Sequence, residues 1–160
     1  MTTSSFKRKT YTSKEILEIV HTDLCRPIEV QSYKRDKYIM LFVDDYSRMM
    51  TVMLLKKNSD AFQIFKWYLA SVEKETWKSM KCLRLNKGGD FTSREFEMFY
   101  NDKGIKRHTF APRTPPQNGI TKRKNRSMIN CARTLMMKKN VALKYWREAI
   151  SIVVYTLKWA

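Results

Sequence analysis

The sequence predicts an α/β domain in which a mixed sheet is flanked by helices. Short segments of strand period and longer segments of helix period follow one another as three strands, helix, strand, helix, strand and two helices, an order that sets helices against a partly parallel sheet. Tyr38 to Val43 is an unbroken apolar run, the mark of a strand covered on both faces. The 160 residues are 43% hydrophobic and 29% charged with only 4 Gly and 4 Pro, a composition that folds as one domain. A chain of this length buries roughly two-thirds of the surface its unfolded form exposes.

Each element has its own signal. Residues 1 to 14 are polar and basic and read as a spacer remnant, leaving 15 to 160 as the domain. Ile16 to Leu24 alternates and predicts the first strand. Tyr38 to Val43 and Met49 to Leu55 predict a hairpin, with Asp44-Asp45-Tyr46-Ser47 supplying turn residues. Asp44 and Asp45 are expected to organise that turn through backbone bonds. Ser59 is placed to cap a helix whose Phe62, Phe65, Leu69 and Val72 share one face. Lys81 to Leu85 is a short strand running into Asn86-Lys87-Gly88-Gly89. Thr92 with Glu95 makes a capping-box pattern, Phe91 with Phe96 a hydrophobic staple, and Gly104 a helix stop. Lys106 to Phe110 predicts an edge strand, and the three prolines between Ala111 and Gly119 predict a loop. A long helix follows from about Ile120 to Lys139, with Met128, Cys131, Ala132 and Leu135 as its buried stripe and Lys122, Arg126 and Arg133 on a neighbouring face. The last helix, from about Leu143, carries Trp146, Ala149, Ile150, Val153 and Leu157.

Charge is the outlier. Against 15 Asp and Glu stand 32 Lys and Arg, a net +17, and a field that positive attracts polyanions, nucleic acid first among them. No basic amphipathic face dominates, which disfavours a membrane surface, and the run Ile150 to Leu157 is too short to span one. Cys25, Cys82 and Cys131 are scattered without a Cys-x-x-Cys pair and read as reduced residues of an intracellular protein, nuclear or cytoplasmic. His21 and His108 have no cysteine at finger spacing, so no zinc site is expected.

Three segments carry a resemblance. His21-Thr22-Asp23-Leu24-Cys25-Arg26-Pro27 is followed by Phe42-Val43-Asp44-Asp45-Tyr46-Ser47-Arg48. Leu83 to Phe91 reads Leu-Arg-Leu-Asn-Lys-Gly-Gly-Asp-Phe. Pro112-Arg113-Thr114-Pro115-Pro116-Gln117-Asn118-Gly119 runs into Lys122-Arg123-Lys124-Asn125-Arg126. In this order and spacing they resemble the integrase catalytic core of copia-type retrotransposons, which writes HTD-x-CGP, F-x-DDYSR, LRSDNGGE and P-x-TPQQNG-x-x-ERKNR. The resemblance covers nearly the whole chain from Ile16. It implies an RNase H-like core with a five-stranded mixed sheet, DNA integration as the family role, and a homo-oligomer as one state. It also implies a His-His-Cys-Cys zinc domain before the core and a variable tail after it, so that the present C-terminus is expected to cut the core short.

The resemblance further implies three carboxylates holding two divalent metals, Mg²⁺ or Mn²⁺, which activate the attacking hydroxyl and stabilise the displaced oxygen. Carried over by position, the triad falls on Asp23, Asn86 and Lys122. From 86 to 122 leaves 35 residues between, the family interval, so the register is intact and two acids are replaced. Three charges become one negative, one neutral and one positive. A Lys ammonium about 4 Å from Mg²⁺ adds repulsion on the order of 8 kcal/mol at an effective dielectric of 20, and a protonated Lys offers no lone pair. No bound metal or other cofactor is expected, and the core is expected to be inactive. Asp90, past the Gly-Gly pair, is read as the ordinary acid of its segment. Asp to Asn, Glu to Lys and Gly to Arg (Arg26) each follow from one G-to-A transition, the pattern of cytosine-deamination decay. Trp77 stands where the family usually has a turn Gly.

What the resemblance leaves is nucleic-acid binding through phosphates, DNA or RNA. The family's helix after the third acid faces DNA, and here Lys122, Arg126 and Arg133 form a row with Lys87, Arg113, Arg123 and Lys124 expected nearby. The same charges would serve equally as a solvated helix face. A non-catalytic nucleic-acid-binding module with a new role is the alternative to an inactive relic.

Overall fold

The computed structural model describes residues 12–26, 29–86, 91, 93–110 and 119–158. Five strands are β1 (Ile19–Cys25), β2 (Tyr38–Asp44), β3 (Met50–Leu55), β4 (Cys82–Asn86) and β5 (Lys106–Phe110), and four helices are α1 (Ala61–Thr76), α2 (Arg94–Lys103), α3 (Gly119–Lys138) and α4 (Trp146–Lys158). The strands lie in the order β3-β2-β1-β4-β5. β1 pairs antiparallel with β2, and β2 with β3; β4 runs parallel to both β1 and β5. The expected mixed sheet of five strands is present, with β5 at its edge.

Alternation along β2 explains why that strand is apolar throughout. Met40 and Phe42 enter a core with Phe65, Tyr68 and Phe96 of α1 and α2. Ile39 packs with Met128, Ala132 and Trp146 of α3 and α4, and Leu41 and Val43 face the start of α3 at Ile120. One helical layer therefore covers each face. The first core is aromatic: Phe42 stacks on Tyr68 at 3.9 Å, and the rings of Phe91 and Phe96 meet at 5.4 Å.

Four local readings are corrected. β1 begins at Ile19, not Ile16, because Leu17 adopts φ 64 while fully buried and its N–H donates to Asp44 Oδ1 at 2.8 Å. The N-cap of α1 is Asp60, preceded by a 3-10 turn at Asn58–Asp60, so Ser59 lies inside that turn and caps nothing. The N-cap of α2 is Ser93, whose hydroxyl accepts from the Phe96 N–H; Thr92 lies outside the described residues. In α3 the buried stripe is Thr121, Asn125, Met128, Ala132 and Met136, while Cys131 is exposed. The helix turns a polar Asn125 inward, which apolar periodicity cannot register.

Helix ends follow their chemistry. Gly104 closes α2 at φ 67, where glycine avoids the Cβ clash. Trp77 closes α1 at φ 57 and is 92% exposed, so its ring gains little burial to offset the left-handed backbone. Trp77→Gly is expected to stabilise the domain by about 1 kcal/mol and to raise Tm by a few degrees, read by thermal denaturation. An unchanged or lower Tm would show that Trp77 is not strained.

Candidate functional site

Asp23 sits in β1 opposite Leu41 of β2. In the parallel register Thr22 lies beside Leu85, so Asp23 and Asn86 are the next residues on adjacent strands, with Asn86 ending β4. α3 crosses this part of the sheet, seated by Ile120 near Leu41 and Val43 and by Met128 near Ile39. The crossing brings Asn125 over β1, and its Nδ2 donates to Asp23 Oδ2 at 3.1 Å. Lys122 is exposed in the first turn of α3, three residues before Asn125. Asp23 and Asn86 thus lie on adjacent strands, and the first turns of α3 reach β1 through Asn125.

The donor set does not fit two hard cations. Asp23 is the only acid among the three positions, and an amide N–H is turned toward its carboxylate. Hard cations need several anionic oxygens. Among the described residues no group of three or more His, Cys, Asp or Glu side chains could hold a metal. Asn125 is 5% exposed, and its Oδ1 is buried without a hydrogen-bond partner among the described residues. Neighbouring Cys25 is pushed up to about 12 by burial and by the Asp23 charge, so it is an inert thiol rather than a nucleophile.

The basic residues divide into two groups. Lys122, Arg126 and Arg133 are exposed at offsets of four and seven along α3 and share a stripe. Arg123 and Lys124 instead line a cavity of about 380 Å³ with Arg48 of the β2–β3 turn, Met50 at the start of β3 and Val154 of α4. A Cβ at Gly119 would lie 2.3 Å from Arg123 Nη1, so a side chain at 119 would force that guanidinium to move. Arg123 and Lys124 are neighbours of the α3 stripe along the chain but face this cavity. Lys87, Asp90 and Arg113 lie outside the described residues.

One cluster escaped the sequence reading. Asp44 does organise the turn, accepting from the Ser47 N–H and hydroxyl, both at 2.7 Å. Asp45 does not. It turns inward, where Oδ1 accepts from His21 Nε2 at 2.7 Å and Oδ2 from the Ser13 hydroxyl at 2.6 Å and its N–H at 3.2 Å. Burial pushes the Asp45 carboxyl up, but the Ser13 and His21 bonds outweigh it and hold it at about 2. Burial lowers His21 in spite of Asp45, so the pair is a neutral imidazole on a carboxylate. The sequence signal was available: a histidine two residues before Asp23 and a second acid beside a sufficient turn acid.

Comparison with known proteins bears on this arrangement. The integrase core domain model matches residues 13–115. A retrovirus-related Pol polyprotein from transposon TNT 1-94 of Nicotiana tabacum is 35% identical over 96% of the chain, and one from transposon RE2 of Arabidopsis thaliana is 28% identical over 95%. The chain spans only 12% and 10% of those polyproteins. Among solved structures, a chain of the simian T-cell lymphotropic virus intasome in complex with PP2A regulatory subunit B56 gamma aligns with TM-score 0.67 and 17% identity over 88% of this chain and 48% of that one. The HTLV-2 integrase catalytic core with magnesium, in its trimeric form, aligns with TM-score 0.62 and 20% identity over 88% of this chain and 84% of that one. At such identities these two likenesses speak for the RNase H-like fold alone.

Proposed function

Because the chain belongs to the integrase core domain family, whose role is DNA integration, we propose that it is a degenerate integrase core, without metal-dependent cleavage or strand transfer but still able to hold nucleic acid through phosphates. The observation that carries this reading is the donor set around Asp23: an amide N–H on the one remaining acid, with Asn86 and Lys122 at the other two positions. No strand-transfer or cleavage product is expected from DNA ends with Mg²⁺ or Mn²⁺. Metal-dependent joining by the unmodified chain would overturn the reading.

Nucleic-acid contact is supported by the +17 charge and by the exposed α3 stripe. Binding of duplex DNA is expected to be indifferent to sequence and to weaken steeply with salt, because each neutralised phosphate contributes a slope of about −0.9 in log K against log salt. Changing Lys122, Arg126 and Arg133 together to Ala should reduce that slope by about 2.7. A slope that does not change would remove α3 from the interface. A repurposed binding module is distinguished by the same titration, since a selected new role predicts preference for one sequence or structure. Exposed Ile152, Tyr155 and Leu157 on α4 support self-association of the kind the trimeric and dimeric HTLV-2 cores display.

A further inference from the structure

The connection from β1 to β2 is built more firmly than a connection requires. Ser32 and Asp36 are both buried and close a turn between them. The Ser32 N–H donates to the Asp36 carbonyl at 3.0 Å, the Arg35 N–H to the Ser32 carbonyl at 2.8 Å, and the Asp36 N–H to Ser32 Oγ at 2.8 Å. The Ser32 hydroxyl in turn donates to Asp36 Oδ2 at 3.0 Å. Two ties fasten this turn to the start of α4: the Tyr33 N–H donates to the Lys144 carbonyl at 2.7 Å, and Arg147 Nη1 meets Asp36 Oδ2 at 2.6 Å. Arg35 adopts φ 70, a left-handed backbone held by the surrounding bonds.

This framework holds an aromatic and cationic surface out into solvent. Tyr33 is 69% exposed and stacks on Tyr145, with ring centroids 6.1 Å apart and planes 25° from parallel. Lys144 Nζ lies 5.3 Å from the Tyr145 ring centre. Lys34 and Arg35 are exposed beside Tyr33 in the chain. The one acid within the turn, Asp36, is buried against Arg147 and does not cancel these cations; Glu29 and Glu148 are the exposed acids nearest in sequence. Asp23 lies two residues before β1 ends at Cys25, and the turn at Ser32–Asp36 lies between that strand and β2 in the chain.

We propose that Tyr33 and Tyr145 form a stacking platform for the unpaired bases of single-stranded nucleic acid, with Lys34, Arg35 and Lys144 taking the adjacent phosphates. Every base has a flat face that an exposed tyrosine can cover, whatever the sequence, and a positive rim tracks the backbone. A duplex hides those faces in its own stack, so the platform adds affinity only for unpaired strands. The inference rests on the reading that this chain meets nucleic acid, but not on the α3 stripe.

The test titrates the full chain with a labelled oligothymidine and with a duplex of equal length. Tyr33→Ala with Tyr145→Ala is expected to weaken single-strand binding about tenfold or more, with the salt slope unchanged and duplex binding within about twofold. Tyr33→Phe with Tyr145→Phe keeps both ring faces and should bind like the unmodified chain. Lys34→Ala, Arg35→Ala and Lys144→Ala together should flatten the single-strand salt slope. Photocrosslinking of the unmodified chain to an iodouracil-bearing strand should label Tyr33 or Tyr145, a readout independent of how any variant folds. Unaltered single-strand binding by the alanine pair, equal loss for duplex and single strand, crosslinks confined to other residues, or no binding at low salt would each overturn the platform. Failure of the α3 reading has a different signature: duplex salt dependence that survives the Lys122, Arg126 and Arg133 replacement while the tyrosine effect persists.

Discussion

Asn86→Asp and Lys122→Glu together are expected to create Mg²⁺ binding that neither change produces alone. The unmodified positions sum to zero formal charge, and the double change restores three negative groups around β1, β4 and α3. Asn86→Asp by itself leaves an ammonium on α3 opposing the cation. Lys122→Glu by itself leaves a neutral second position. Two divalent ions need all three acids at once, so the gain should be strongly non-additive. The Asn125 amide must also release Asp23, which a metal would drive by competing for the same carboxylate oxygen. Calorimetric titration is a fairer readout than turnover, because Arg26 and Lys87 also depart from the family pattern. Equal Mg²⁺ affinity in the unmodified chain and the double variant would refute the dead site and make Asp90 the next residue to change.

Asp45→Ala is expected to cost about 3 kcal/mol, because it strands His21 and Ser13 in the interior with no acceptor. Asp45→Asn keeps a hydrogen-bonding group of the same shape and should cost less. The pH dependence has a definite sign. The Asp45 carboxyl is lowered from 3.8 to about 2 in the folded chain. Its contribution is therefore complete above pH 3.8 and is lost as pH falls toward 2. Urea denaturation across that window should show a steeper acid loss for the unmodified chain than for Asp45→Asn. Parallel acid profiles would place the acid sensitivity elsewhere.

The sequence by itself determined the architecture. The apolar run from Tyr38 to Val43, the hairpin signal at Asp44 to Ser47 and the glycine stop at Gly104 depend on neighbours a few residues away, and local chemistry suffices to read them. The 35-residue interval between Asn86 and Lys122 is legible for the same reason, since spacing along the chain needs no coordinates, and their reading as replaced acids rests on the resemblance alone. Other features were decided only by the tertiary structure. Asp45 and Asp44 are adjacent and identical, yet Asp44 caps its turn and accepts from the Leu17 N–H while Asp45 reaches back 24 and 32 residues to the side chains of His21 and Ser13. Asn125 looked like one more polar residue of a basic helix, until packing of α3 on β1 turned it onto Asp23, 102 residues away. Tyr33 and Tyr145 meet only because the β1–β2 turn docks on the start of α4. A polar or aromatic side chain carries no periodic signature of its partner. Its role is set by contacts that close large loops, and these form only when the whole sheet and both helical layers are in place.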